Sequence, residues 1–253
     1  MTAPLMEIQH LYKAFGRVVT AEDISLRFEK GIITSIIGPN GAGKSTFINM
    51  ITGSIPPDSG KIIFEGKDIT NFPIHRRVQM GVCRSFQVVD VFPELTVFEN
   101  VEIPILAVQR RAWKMLGLVS KEKSVHEEVI DILTKVGLDH NANLTANALS
   151  HGDQRLLEVA IALGAKPKLL FLDEPTAGMN PVERRKILET IRDLSQEDGT
   201  TFVIVEHDMD IVFALSQRIV VLHHGKIISD GTPQETKANE RVRKVYLGEE
   251  VEL

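Results

Sequence analysis

GPNGAGKST, residues Gly38 to Thr46, follows directly on an apolar run at residues 32–37 and opens directly into FINMITG. The spacing is GxxxxGK[ST], set between a buried-strand pattern and a helical one. Glycines at Gly38, Gly41 and Gly43 let the backbone N–H groups of this loop, Pro39 lacking one, wrap phosphate oxygens, with Asn40 and Ala42 completing the turn. The start of the following helix adds partial positive charge. Lys44 is then placed to reach the β- and γ-phosphates and Ser45 to offer its hydroxyl to Mg2+, with Thr46 closing the motif. Phe47, Ile48 and Ile51 recur at helical spacing, and Gly53 stands where the helix should end.

KLLFLDEPT at residues 168–176 supplies a second element. Its apolar strand ends in Asp173, a carboxylate able to hold Mg2+ directly or through water, and Glu174 follows, able to orient or deprotonate an attacking water. A strand-end acidic pair says little alone; beside the phosphate loop it reads as the other half of a hydrolytic site. Gln87, in CRSFQ, ends a short strand pattern where it can touch Mg2+ or water; alone it reads as a surface glutamine. His207, in TFVIVEHD, can donate to a γ-phosphate, or be a structural strand-end histidine. LSHGDQRLLEVAIAL places Ser150 and Gly152 just ahead of a helix, an anion site or an ordinary cap.

Around these motifs the chain alternates. Residues 6–11 and 24–29 predict strands bracketing a turn at Gly16, and PPDSGKIIFEGKDI predicts an antiparallel hairpin beside the main sheet. Residues 96–146 are mostly helical in pattern, with Val125, Val129, Ile132, Leu133 and Val136 on one stripe. A strand–helix rhythm then resumes: helix 151–164, strand KLLFLD, helix 181–195, strand TFVIVE, helix 209–216 and strand IVVLHHG. HHGKIISDGTP reads as the last turn, before a short helical tail ending VRKVYLGEE. The expectation is an α/β fold with a mostly parallel sheet. Residues 1–95 and 147–253 would form the α/β core with an antiparallel β subdomain, and 96–146 an inserted helical subdomain, all within one domain.

Composition narrows the function. The 253 residues allow one large α/β domain, or a core with a small satellite. Lys and Arg total 29 against 34 Asp and Glu, a formal charge of −5, so no diffuse positive field is available to hold a nucleic acid backbone. Cys83 is the single cysteine and cannot form an internal disulfide. MTAPLMEIQHL has no signal-peptide pattern, and no stretch approaches the ~20 apolar residues that span a bilayer. A cytoplasmic protein is expected, held at a membrane only by other chains.

The ordered set of phosphate loop, Gln87, LSHGD, Asp173 with Glu174, and His207 resembles the nucleotide-binding subunit of ATP-binding cassette (ABC) transporters over nearly the whole chain. The resemblance implies the ABC ATPase fold, with ATP and Mg2+ as cofactors. It makes LSHGD the signature segment and AGMN at residues 177–180 the loop that crosses a dimer. It makes Ser45, Gln87 and Asp173 the Mg2+ donors, Glu174 the catalytic glutamate and His207 the switch histidine. Phe15, in KAFG, looks like the aromatic that stacks on adenine, against a simpler reading as hairpin packing. The family's common signature is LSGGQ, whereas here His151 and Asp153 replace a glycine and the glutamine, and Asn180 stands where many members have aspartate.

TAGMNP, VEHDMDIV, DGTP and VRKVYLGE are similar to the subunits serving branched-chain amino-acid importers and their urea and amide relatives. The implied partners are a homologous ATPase subunit or second copy, two transmembrane permease subunits, and indirectly a periplasmic or extracellular solute-binding protein. The chain would lie on the inner face of the cell membrane, docking through a groove that includes Val88, Val91 and Phe92, unless these are core. A non-transport ATPase acting on DNA would need a coiled-coil insertion or basic surface. A small-molecule kinase would leave Ser150 and His207 idle.

Overall fold

The computed structural model describes residues 3–85, 91–109, 123–197 and 199–247. The chain divides into two compact units, Met1–Arg77 with Gly199–Leu253, and Val78–Asp198.

In the first unit, β1 (Met6–Phe15) and β2 (Val18–Phe28) pair antiparallel about Gly16. The hairpin expected from PPDSGKIIFEGKDI is β4 (Ser59–Phe64) with β5 (Lys67–Asp68). It joins the far edge of β1, Met6 opposite Phe64 and Tyr12 opposite Ser59, giving an antiparallel sheet ordered β2-β1-β4-β5. The run before the glycine loop is β3 (Thr34–Ile37), all four residues buried. It lies parallel to both β8 (Thr201–Val205) and β9 (Arg218–His223), and strands covered on both faces explain sequences without polar alternation.

HHGKIISDGTP is more than a turn. β10 (Lys226–Gly231) folds back antiparallel on β9, Lys226 opposite His223, across a two-residue turn in which His224 (φ 44°) and Gly225 (φ 78°) both take positive φ. That is the twist-compatible hairpin turn, and His-Gly lacks the Asn or Asp that usually announces it. α7 (Met209–Leu215) joins β8 to β9, and α8 (Pro233–Ala238) and α9 (Glu240–Leu247) follow β10, with Val212 and Val242 packed on Ile37, Ile219 and Val221.

The helix after the glycine loop, α1 (Lys44–Thr52), ends where expected, at Gly53 with φ 90°. A residue that the sequence did not single out holds that end. Arg77, in α2 (Ile74–Met80), is 1% exposed, and its guanidinium donates to the carbonyls of Met50 (2.7 Å), Ile51 (2.5 Å), Phe72 (2.9 Å) and Thr70 (2.8 Å). The last carbonyls of a helix lack intrahelical partners and carry partial negative charge, so a cation there satisfies both needs. Burial pulls the Arg77 pKa down to about 10, which still leaves it charged at neutral pH.

In the second unit, β6 (Val82–Arg84) and β7 (Leu169–Asp173) pair in parallel. The helices are α3 (Val97–Val108), α4 (Lys123–Val136), α5 (His151–Gly164) and α6 (Pro181–Glu197). The α4 stripe is buried as its spacing predicts, and α3 packs on α4 and α5. Thr96 and Glu99 cap α3 reciprocally, a box written in the sequence as TVFE. Asn100 is 1% exposed and pins the loop before α3, its Oδ1 accepting from the Phe92 amide at 2.8 Å and its Nδ2 donating to the Phe92 carbonyl at 3.1 Å. No helix among the described residues is long and apolar enough to cross a membrane.

Candidate functional site

The glycine loop in the first unit is shaped by close backbone approach. A Cβ on Gly38 would lie 2.2 Å from the Leu222 carbonyl oxygen, and one on Gly43 2.2 Å from that of Thr20. Neither carbonyl is a flexible side-chain end that could swing aside, so no other residue fits. Gly41 (φ 79°) has open space around it and needs glycine only for its dihedral. Ala42 is buried, its amide donating to Pro39 O at 3.2 Å and its carbonyl accepting from Gly225 N at 2.9 Å, which ties the loop to the β9–β10 turn.

Helix α1 has Gly43 at its N-cap, hence no side-chain cap, and no acidic residue in its first turn. Its leading N–H groups and positive dipole end therefore face an anion site without a built-in competitor. Half-buried Lys44 bends over the loop, its Nζ donating to Gly38 O at 2.5 Å and Pro39 O at 3.1 Å. Ser45, Asn40 and Gly41 are exposed, and Thr46 is half-buried. One contact was missed from sequence: the Gly38 amide donates to the Tyr246 hydroxyl of α9, and burial pushes that phenol up to about 12. Tyr246 stood in the sequence only as part of VRKVYLGE.

Phe15 ends β1 and keeps 49% of its surface, with the Lys13 ammonium 5.4 Å from its ring centroid. That exposure leaves ring surface open to solvent. Phe15→Ala is expected to weaken ATP binding by roughly 1–3 kcal/mol, the worth of a base–aromatic stack, with Phe15→Tyr tolerated. Calorimetric titration giving F15A the wild-type dissociation constant would return Phe15 to a packing role. His207 is exposed just beyond β8, its amide donating to the carboxylate of buried Glu206 at 3.3 Å.

In the second unit β7 delivers Asp173 at its buried tip. Asp173 Oδ2 accepts from Arg84 Nη2 at 2.6 Å. Glu174, half-buried, takes φ 48°. A left-handed backbone costs a non-glycine residue about 1–2 kcal/mol, and such strain concentrates where a side chain is aimed for chemistry.

Ser150 caps α5: its Oγ accepts from the Asp153 amide at 3.1 Å and donates to Asp153 Oδ2 at 2.9 Å. Lys186 Nζ lies 3.2 Å from Asp153 Oδ1, offsetting the charge that replaces the signature glutamine. Ser150 and His151 are exposed; Gly152 is buried, and a Cβ there would sit 2.8 Å from Glu183 Cγ of α6. Asn180 caps α6, its Oδ1 accepting from Val182 N at 2.9 Å and Glu183 N at 3.1 Å, while Glu183 Oε2 accepts from Asn180 N at 3.2 Å. Asn-Pro-Val-Glu is a readable capping box with proline at the first helical position, and it gives Asn180 a structural role beside its place in AGMN. Gly178 meets His151 Cε1 at 3.6 Å measured from an added Cβ, so AGMN and LSHGD come together in this unit. Gln87 and Val88 lie outside the described residues; Phe92 is exposed.

Ser45 offers a hydroxyl oxygen and Asp173 a carboxylate, the oxygen donors that a hard cation such as Mg2+ takes. No group of three or more His, Cys, Asp or Glu suited to a metal occurs among the described residues.

A buried parallel strand, a loop that only glycine can form and a lysine folded across it make the phosphate cradle of a P-loop nucleoside triphosphatase. Residues 21–177 match the family model of the ABC transporter, and residues 226–252 that of the branched-chain amino acid ATP-binding cassette transporter. The chain belongs to the ABC transporter family, as its ABC-type ATPase component. It is 36% identical to the high-affinity branched-chain amino acid transport ATP-binding protein BraF of Pseudomonas aeruginosa, over 98% of this chain and 100% of that one. A crystal structure of the ADP conformation of an ABC transporter's ATP-binding cassette superposes with a TM-score of 0.86 at 33% identity, over 98% of this chain and 100% of that one. A dimeric bacterial ABC transporter cassette gives 0.75 at 26% identity, over 90% and 98%. The expected ABC ATPase fold, with its antiparallel and helical parts, is thus the fold observed.

Proposed function

We propose that this ATPase drives an importer for branched-chain amino acids, on the cytoplasmic face of a membrane, through two permease subunits supplied by a solute-binding protein. The observation that carries the solute class is the match of residues 226–252 to the branched-chain model, because it falls on β10, α8 and α9, beyond the part matched by the general cassette model. The full-length similarity to branched-chain amino acid transport ATP-binding proteins supports the same reading.

In this reading the loop Gly38 to Thr46 binds the triphosphate through those of its backbone N–H groups left open and through Lys44, and Phe15 stacks on the base. Ser45, Gln87 and Asp173 would hold Mg2+, which would supply positive charge to offset that of the phosphates. Glu174 takes a proton from the attacking water at its carboxylate as the water oxygen bonds to the γ-phosphorus and the bond to the β-phosphate bridge oxygen breaks. His207 donates a hydrogen bond to the γ-phosphate. Ser150 and Gly152 close over the ATP of a second, homologous ATPase chain or copy, giving two composite sites by exchange. The helical segment 96–146 carries closure to the permeases.

Reconstitution tests the solute. With its two co-purified permeases and binding protein in proteoliposomes, the chain should accumulate labelled leucine, isoleucine or valine in an ATP-dependent manner. Accumulation of urea or a short-chain amide with no branched-chain uptake would move the assignment to that alternative importer. Retention on DNA in place of permeases would remove the transport reading.

A further inference from the structure

Strands β6 and β7 run parallel with Arg84 opposite Phe171, and the Ser85 amide donates to the Phe171 carbonyl at 2.8 Å. That register sets Arg84 beside the last residues of β7, from where its Nη2 reaches Asp173 Oδ2 at 2.6 Å. The two side chains keep only 13% and 4% of their surface. An ion pair so enclosed is little screened by salt or water, unlike a surface pair. A guanidinium in a protein keeps its charge. One oxygen of Asp173 is therefore already held by a permanent cation before any metal arrives.

A partner of a metal-binding carboxylate can act in two opposite ways. A neutral donor orients the ligand and raises metal affinity, and its loss typically weakens binding about 10–100-fold. A full positive charge competes instead, since a dication approaching the same carboxylate meets a like charge in a poorly screened place. The guanidinium belongs to the second kind. We propose that Arg84 is a positioning residue, the resident counter-ion of Asp173, which keeps affinity for the free divalent cation low and makes its capture depend on the negative charge that the nucleotide brings. The proposal rests on the reading of Asp173 as a Mg2+ donor. Its consequence is that the metal loads with the nucleotide and not ahead of it.

Mn2+ binding to the full nucleotide-free chain, followed by loss of the free-ion paramagnetic resonance signal, reads this without any turnover. Arg84→Met should tighten Mn2+ at least about tenfold, as expected when a like charge within a few ångströms is removed. R84Q keeps an N–H donor near Oδ2 but drops the charge, and it carries the same expectation if the apolar variant fails to fold. R84K keeps the charge and should bind Mn2+ as wild type does. Unchanged or weaker Mn2+ binding in R84M or R84Q, or equal tightening in R84K, would overturn the proposal. The gain should vanish in R84M/D173N, and a gain that survives there would show the ion sitting elsewhere. The underlying reading has its own control: D173N should bring the ratio of ATP affinity in Mg2+ to that in EDTA close to one. A wild-type ratio in D173N would remove Asp173 from the metal's ligands whatever Arg84 does.

Discussion

Glu174→Gln should lower steady-state ATP turnover by about 10²- to 10⁴-fold, the usual worth of a positioned general base, while leaving ATP binding intact. The substitution removes the basic oxygen and keeps the volume. It also keeps the backbone, because glutamine pays the same cost as glutamate at φ 48°, so a loss of rate cannot be assigned to relief or increase of strain. With hydrolysis blocked, the proposed ATP-bound dimer should persist, and a crosslink can report it. Asn40 and His151 are both exposed; a cysteine at residue 41 would be strained at φ 79° and Ala42 is buried, which makes residue 40 the better loop position. Cys83 needs no replacement, since burial pushes its thiol up to about 12. N40C/H151C in the E174Q background should crosslink between protomers only when ATP is present. Near wild-type phosphate release by E174Q would end the general-base assignment, and solely intramolecular products at dilute concentration would end the composite site.

Lys44→Ala should act earlier, on binding. Hydrogen bonds to a charged partner are worth about 1.5–3 kcal/mol, so the ATP dissociation constant should rise roughly 10- to 150-fold. Lys44 is not idle beforehand: its ammonium already bridges the carbonyls of Gly38 and Pro39. Binding thus exchanges two carbonyl contacts for phosphate contacts, which holds the net gain below that of a bare ammonium meeting phosphate. The same bridge means that K44A loosens the loop as well as discharging it. Adenosine, which lacks phosphates, should bind K44A and wild type equally; a phosphate-independent loss would show the substitution acting through the loop's shape alone. An ATP dissociation constant unchanged in K44A would remove the lysine from phosphate recognition.

The parts of the molecule that could be read in advance were those written in neighbouring residues. The glycine loop, the buried strand before it, the α4 stripe and the span 151–164 of α5 each depend on local spacing, and each lies where spacing puts it. Contacts between distant residues left no such trace. Nothing in HRRVQM marks Arg77 as the one that caps α1 from 26 residues away, because the recognised groups are main-chain carbonyls. The Arg84–Asp173 pair spans 89 residues and depends on a parallel register that neither strand announces. β10 was hidden for a different reason, its two isoleucines being set among Lys, Ser, Asp and Gly without the longer β-branched run of a buried strand. Asn180 is legible in the sequence twice over, by its place in AGMN and as a helix cap with Glu183 three residues on.

The way Gly38 and Gly43 are hemmed in has a consequence for how this chain can change over time. The atoms that press on them are the carbonyl oxygens of Leu222 and Thr20, which every amino acid carries. Residues 20 and 222 can therefore drift in identity with little effect on the loop, while the two glycines cannot. A single-residue insertion or deletion in β2 or β9 is another matter, for it would slide a different carbonyl, at a different height, against the loop. The phosphate cradle is thus protected from substitution at its supports and exposed to changes in their length, so variation in this region should be channelled into replacements and kept out of gaps.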